Sequence, residues 1–170
     1  QLAYIYNFIA SSCLSRTLSK RFDIPATVKW PNDILVRGKK LAGLLAEMET
    51  RCDRVEFLNI GIGLNVNNHP GTHEANAVSL ADILKTPVSR RQILEAFLDD
   101  FSGSITDISP EEVISEWKRH TSTIGSQVRV ETTGKIYRGT AVDIDHTGAL
   151  VIEDRNNTIQ KIIYGDCFHT

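Results

Sequence analysis

The sequence predicts an α+β fold in which a mixed sheet with packed helices precedes a small all-β barrel. Apolar residues that recur at helical spacing, at the start and in the middle of the chain, predict the helices. Short apolar and β-branched runs between turn residues predict strands from 26 to 66 and again after Gly125. The change of pattern near Ile124 predicts two domains, residues 1–124 and residues 125–170.

One long helix followed by strands accounts for the first part of the chain. Apolar residues recur close to every 3.6 positions from Leu2 to Phe22, and Pro25 ends this predicted helix. Pro31 and Asn32 interrupt the first strand that follows. The strands expected here cover residues 26–30, 34–37, 41–48 and 55–66, with a hairpin turn at 38–40.

The middle of the chain is predicted to be helical and its end to be β. A polar loop at 67–77 precedes a short helix at 79–84, and Ser89 caps the next helix. Ser109, Pro110 and Glu112 form a capping box with proline at the first helical position, and that helix runs to about His120. After Gly125, short strands separated by turn signals every ~8–12 residues indicate a small sandwich or barrel.

Composition indicates a globular protein and argues against a general nucleic-acid binder. The chain is 41% hydrophobic and 24% charged, with a formal net charge of −2 and no basic stripe to neutralise phosphates. No apolar run approaches the roughly 20 residues that cross a membrane. Cys13, Cys52 and Cys167 are widely spaced and odd in number, which argues against a zinc site or a disulfide framework. We therefore expect reduced thiols in a cytoplasmic protein.

Three clusters in the first third of the chain carry the candidate chemistry: Lys29-Trp30-Pro31-Asn32-Asp33, Lys40-Leu41-Ala42-Gly43 and Gly61-Ile62-Gly63-Leu64-Asn65. In the first cluster a cation and a carboxylate bracket a break at a strand end, where backbone donors are free and side chains enter clefts. Glycines within strands let a ligand approach the backbone closely. The two lysines, the carboxylate, the amide and the three glycines of these clusters together predict a cleft for an anionic ligand, such as a carboxylate and a polyphosphate with a metal ion.

Each cluster also has a purely structural interpretation. Lysines on hairpins are commonly solvated, Asp33 fits the cap of a turn, and the two glycines of the third cluster fit a strand bulge. Trp30 fits a core position better than a stacking platform. The third cluster is not a dinucleotide-binding fingerprint, because no third glycine opens a helix and no ribose-binding acid follows at the expected distance.

The order and spacing of these clusters resemble the catalytic-domain motifs of biotin–protein ligases. The resemblance rests on the Lys29–Asp33 string, on Lys40 to Glu47, and on Asn59 to Asn65. It continues through Glu116-Trp117 to Gly148-Ala149-Leu150 and Tyr164-Gly165-Asp166, which are similar to the barrel that ends these enzymes. The implied fold is part of a class II synthetase-like ligase domain followed by the small C-terminal barrel.

The resemblance implies a reaction in two steps. Biotin and ATP give biotinyl-5′-AMP and pyrophosphate with Mg²⁺, and a lysine of a biotin carboxyl carrier protein, such as that of acetyl-CoA carboxylase, then takes the biotin and releases AMP. Lys40 would be the catalytic residue, acting by charge neutralisation on the biotin carboxylate and the phosphate. Asn65 would contact adenine, and Asp33 would lie at the metal. The implied substrate- and nucleotide-binding residues are Lys29, Trp30, Asn32, Asp33, Leu41, Gly43, Gly61, Gly63, Leu64 and Asn65.

The family's Gly-Arg-Gly-Arg-type loop, which closes over biotin and the adenylate, does not occur within residues 1–170. We therefore expect the C-terminal part of a ligase, with its activity in isolation left open. A non-catalytic module derived from a ligase, used for binding or for homodimer formation, is one alternative. Lipoate–protein ligase is another, although the Lys29–Asp33 string and the terminal barrel favour biotin.

Overall fold

The computed structural model describes residues 3–52, 54–106 and 109–170. Its helices are α1 (Ala3–Phe22), α2 (Leu80–Leu84), α3 (Arg90–Ser102) and α4 (Pro110–His120). Its strands are β1 (Ala26–Lys29), β2 (Asp33–Val36), β3 (Lys39–Arg51), β4 (Arg54–Leu64), β5 (Gln127–Glu131), β6 (Ile136–Ile144), β7 (Leu150–Glu153), β8 (Ile159–Ile162) and β9 (Asp166–His169).

The strands form two sheets, one in each part of the chain. The first has the order β1-β2-β3-β4 and the second the order β8-β7-β6-β5-β9, and neighbouring strands in both are antiparallel. Two isolated parallel bridges, Val28 with Thr121 and Lys40 with Ala77, join later segments to the first sheet. The predicted α+β fold with an all-β C-terminal part is confirmed.

Helix α1 supplies the core on which the first sheet rests. Its apolar stripe is buried as the periodicity predicts, at Ile5, Ile9, Cys13, Leu14 and Leu18. Burying one large apolar side chain typically contributes about 1.5–3 kcal/mol, so this stripe is a main source of stability. The sheet is thereby held against a rigid support.

Helix α4 is fixed to α1 by stacked aromatic rings. The rings of Phe8 and Trp117 are stacked with centroids 4.6 Å apart, and the buried Trp117 indole N–H donates to Ser11 Oγ at 3.2 Å. The predicted capping box is present, since Ser109 Oγ accepts from the Glu112 N–H and the Glu112 carboxylate accepts from the Ser109 N–H. Because α4 is fixed in this way, the segment that leads from it to the second sheet starts at a defined position.

Several predicted boundaries differ from those observed. Strand β1 ends at Lys29 rather than residue 30, because Trp30, Pro31 and Asn32 form the turn that leads into β2. The predicted loop at 67–77 contains a short 3₁₀ turn, Pro70–Thr72. Leu2, the predicted start of the first helix, lies outside the described residues.

The predicted division at residue 124 falls between the two sheets. It stays a prediction, because buried side chains of both sheets, such as Val28 and Val130, belong to one continuous cluster. Among residues 3–52, 54–106 and 109–170, no helix is both long and apolar enough to span a membrane.

Candidate functional site

Residues from all three motif clusters meet on one row that crosses the first sheet. Lys29 on β1 pairs with Asp33 on β2, Asp33 pairs with Gly43 on β3, and Gly43 pairs with Gly63 on β4. Residues directly opposite each other in a sheet share a face, so these four positions lie on the same side. The antiparallel register therefore assembles one site from motifs that are far apart in sequence.

Lys40 reaches this face because β3 contains a β-bulge. Ile34 pairs with Ala42 but Leu35 pairs with Lys40, so Leu41 is an extra residue in β3. In a regular strand, positions 40 and 43 would point to opposite faces. The extra residue shifts the alternation of side chains by one position, so that the Lys40 side chain lies on the same face as Gly43. Bulges often redirect a side chain in this way at functional sites.

The Asp33 carboxylate bridges two ammonium groups. Its Oδ1 lies 2.8 Å from Lys40 Nζ, and its Oδ2 lies 3.2 Å from Lys29 Nζ. The Asp33 and Lys29 side chains are only 14% and 18% exposed, whereas Lys40 is 41% exposed. Two cations around one carboxylate leave one positive charge uncompensated, and Lys40 is the cation more accessible to a ligand.

The backbone of Lys40 is hydrogen-bonded through both its N–H and its C=O to residues 76–78, where the 67–77 loop ends. The Lys40 N–H donates to Asn76 O at 2.7 Å, and Lys40 O accepts from the Val78 N–H at 2.9 Å. The loop thus works as an extra strand beside the start of β3. This fixes the base of the lysine side chain, so less of its freedom has to be lost when it binds a ligand.

Glycines form the floor of the site. Gly43, Gly61 and Gly63 share the cleft face with Leu45, which pairs with Gly61 and is 58% exposed. A Cβ at Gly61 or Gly63 would meet only a backbone oxygen at 3.7 Å, so the space above these residues is open. The floor therefore offers bare backbone and one apolar side chain next to the charged cluster.

The site lies in a cleft of about 900 Å³ between the two sheets. Its second wall is strand β9, with Asp166, Cys167, Phe168 and His169, which the sequence analysis did not place at the site. Burial raises the pKa of the Cys167 thiol to about 11, so it is protonated at neutral pH and is not a nucleophile. Partial burial, and then the charge of Lys29, lower the pKa of His169, which leaves its imidazole neutral at pH 7.

Eight of the predicted site residues line the cleft: Lys29, Trp30, Asn32, Asp33, Lys40, Gly43, Gly61 and Gly63. Trp30 does so from a buried position, with 1% of its surface exposed. The Asn32 side chain donates to Leu44 O at 2.6 Å and so braces β3. Their roles in binding stay predictions.

Leu41, Leu64 and Asn65 do not line the cleft. Leu41 is fully buried in the core, and Leu64 lies one residue from Gly63, on the opposite face of β4. Asn65 follows the end of β4, where its Oδ1 accepts from Asn68 Nδ2 at 2.9 Å. The binding roles of these three residues, including the contact of Asn65 with adenine, stay predictions.

The charged cluster does not fit a preformed magnesium site at Asp33. Both oxygens of this carboxylate are already paired with ammonium groups. Within the described part of the chain, no three His, Cys, Asp or Glu side chains come together as ligands for a metal ion. A carboxylate between two lysines serves instead as a counter-ion that holds them in place.

Two family models match the chain, one at each end. Residues 3–67 match the biotin/lipoate A/B protein ligase family, and residues 123–170 match the biotin protein ligase C-terminal domain. The first model covers β1 to β4 and hence all of the predicted site residues, and the second covers β5 to β9.

Relatives and solved structures agree with these matches. The bifunctional ligase/repressor BirA of Bacillus subtilis is 31% identical over 93% of this chain and 50% of its own length. The biotin--[acetyl-CoA-carboxylase] ligase of Mycobacterium tuberculosis is 35% identical over 84% of this chain and 52% of its own length. The chain thus spans about half the length of these relatives.

The fold is also that of a solved biotin protein ligase. The apo structure of the enzyme from Aquifex aeolicus superposes with a TM-score of 0.84 at 23% identity, over 98% of this chain and 76% of that one. Family models match both ends of the chain, its relatives are named as ligases, and it shares their fold. The chain therefore belongs to the biotin–protein ligase family.

Proposed function

We propose that the cleft between the two sheets binds biotin and ATP, forms biotinyl-5′-AMP, and passes biotin to a lysine of a biotin carboxyl carrier protein, that of acetyl-CoA carboxylase. The observation that carries this proposal is the cluster in which Asp33 holds Lys29 and Lys40 beside a floor of glycines. The names of the matching relatives and of the biotin/ATP complex from Aquifex aeolicus support it.

In the first step a biotin carboxylate oxygen attacks the α-phosphorus of ATP, and the bond to the pyrophosphate oxygen breaks. Negative charge gathers on the phosphoryl oxygens as the two anions approach. Lys40, the more exposed lysine of the cluster, donates a hydrogen bond to these oxygens, and the positive charge of Lys29 stabilises the same negative charge from a more buried position. Neither lysine forms a covalent bond, so their contribution is positioning and charge neutralisation.

In the second step the neutral amine of the acceptor lysine attacks the acyl carbon of the mixed anhydride. An amide bond forms, the bond to the phosphate oxygen breaks, and AMP leaves with the electron pair. The proton that the attacking nitrogen loses passes to water. Lys40 again neutralises the oxygens of the leaving phosphate. Mg²⁺ accompanies the phosphates of ATP in this proposal, since it commonly binds through substrate phosphates and water.

Biotin is preferred over lipoate as the substrate. The match over residues 3–67 is to a family shared by biotin and lipoate ligases, but the match over residues 123–170 is to a domain named for biotin protein ligases. Because β9 of that part forms one wall of the cleft, the C-terminal sheet belongs to the proposed site. We propose a cytoplasmic location and homodimer formation as well. The exposed edge strand β4 supports the latter.

Pyrophosphate release from ATP by the full-length protein tests this function. Release should require biotin and should be followed by transfer of labelled biotin to a purified biotin carboxyl carrier domain. Release that depends on lipoate instead would reassign the substrate. Release with neither acid would contradict the proposal.

A further inference from the structure

The three residues after α4, Thr121 to Thr123, form hydrogen bonds with the backbone at the end of β1, where Lys29 lies. Val28 O accepts from the Ser122 N–H at 2.9 Å, from Thr121 Oγ1 at 3.1 Å and from Ser122 Oγ at 3.3 Å. These residues connect the helical part of the chain to the second sheet. The residue before Lys29 is therefore fixed by the connection between the two parts of the chain.

The residue after Lys29 is fixed by the same connection. The Trp30 backbone N–H donates to Thr123 Oγ1 at 2.9 Å, and Thr123 is fully buried. The Trp30 indole N–H donates to Gly148 O, in the turn before β7, at 3.1 Å. Thr123 Oγ1 also lies 3.4 Å from His169 Nε2 on the cleft wall.

We propose that Thr123 is a positioning residue for Lys29. Its hydroxyl fixes the strand end from which the Lys29 side chain reaches Asp33, and through Asp33 it affects the placement of Lys40. Thr123 does not line the cleft, so it acts through Lys29 rather than on a ligand. This inference rests on the proposed function, and it makes the lysine cluster dependent on the attachment of the C-terminal sheet.

The test compares ligand affinity in Thr123→Val, which keeps the shape of the side chain and removes the hydroxyl, with Thr123→Ser, which keeps the hydroxyl. The ligand is a non-hydrolysable biotinyl-adenylate mimic, titrated calorimetrically. Thr17→Val is the matched control, because Thr17 is also fully buried and its hydroxyl bonds to Asp100, outside the cleft. Urea unfolding of each variant separates loss of stability from loss of affinity.

We expect Thr123→Val to bind the mimic about tenfold more weakly, because the unpaired Trp30 N–H releases the strand end. Thr123→Ser and Thr17→Val should bind within about twofold of the parent chain. In a Lys29→Ala background, Thr123→Val should cause little further loss, since both changes remove the same interaction.

Parent-like binding by Thr123→Val, an equal loss in Thr17→Val, or full additivity with Lys29→Ala would overturn the inference. If Thr123→Val does not fold, Thr121→Val tests the same connection, because the Thr121 hydroxyl bonds to Val28 O and to the Thr123 N–H. It should weaken binding in the same direction, and unchanged binding there would equally overturn the inference. Failure of the parent chain to bind the mimic would count against the proposed function instead.

Discussion

Replacing Lys40 by alanine should weaken binding of a biotinyl-adenylate mimic by about 10- to 100-fold. A hydrogen bond to a charged group contributes roughly 1.5–3 kcal/mol, and each ~1.4 kcal/mol is tenfold in affinity. Lys40 is the more exposed cation of the cluster, at 41%, and its ammonium lies 2.8 Å from Asp33, so it is placed to exchange that partner for an anionic ligand. The assay is isothermal titration of the parent chain and the variant.

Stability should change little in the same variant. Half-exposed ion pairs contribute roughly 0–1 kcal/mol, and Asp33 keeps Lys29 as a partner when Lys40 is removed. We therefore expect the free energy of unfolding in urea to fall by less than about 1 kcal/mol. Lys39→Ala is the matched control, because this neighbouring lysine is exposed and does not line the cleft. Equal affinity losses in both variants would refute the specific role of Lys40.

Three further outcomes follow from the structure. Gly63→Ala should leave stability within about 1 kcal/mol but lower affinity for the mimic about tenfold, because the methyl group would occupy the open cleft floor; unchanged affinity in the titration would remove Gly63 from the site. Trp117→Ala should cost about 3–5 kcal/mol in urea unfolding, because the fully buried indole stacks on Phe8; a loss below about 1 kcal/mol would contradict that packing. Burial alone would raise the pKa of Asp145, but its hydrogen bonds, of which the one from Thr147 is the strongest, lower that pKa below its ordinary value. The ionised Asp145 carboxylate therefore stabilises the fold fully above about pH 4, and this stabilisation is lost as the pH falls further. Asp145→Asn should flatten the pH dependence of stability below about pH 4, and curves parallel to the parent's would contradict this.

Local patterns in the sequence predicted most of the secondary structure. The apolar stripe of α1 and the capping box of α4 are each specified by residues within a few turns of one another, so periodicity and capping rules suffice. A hairpin was predicted with its turn at 38–40, but the turn lies at Arg37 and Gly38, which have positive φ angles of 51° and 76°. Lys39 and Lys40 already belong to β3. Strand β1 is one residue shorter than predicted, because Trp30 already belongs to the turn that leads into β2.

The candidate site was only partly predictable. The motif clusters contain Lys29, Asp33, Gly43 and Gly63, but the row that these residues form depends on strand pairing. The bulge at Leu41 also depends on strand pairing, which a single strand's sequence does not reveal. Without the bulge, alternation would have placed Lys40 on the opposite face.

The wall formed by β9 was missed for a related reason. Its residues are more than a hundred positions from the motifs, and only the packing of the two sheets brings them to the cleft. Burial of Cys167 also depends on that packing. The one available signal was the family-like Tyr164-Gly165-Asp166 sequence, which marks the end of the chain without indicating a role in the site.

Direct titration of the chain with a biotinyl-adenylate mimic, in parallel with its lipoyl counterpart, tests most directly whether the Lys29–Asp33–Lys40 cluster and the glycine floor form a ligase site. We predict micromolar or tighter binding of the biotinyl form and at least about tenfold weaker binding of the lipoyl form. Equal affinities, or no binding by a chain that circular dichroism shows to be folded, would contradict the assignment of this cleft.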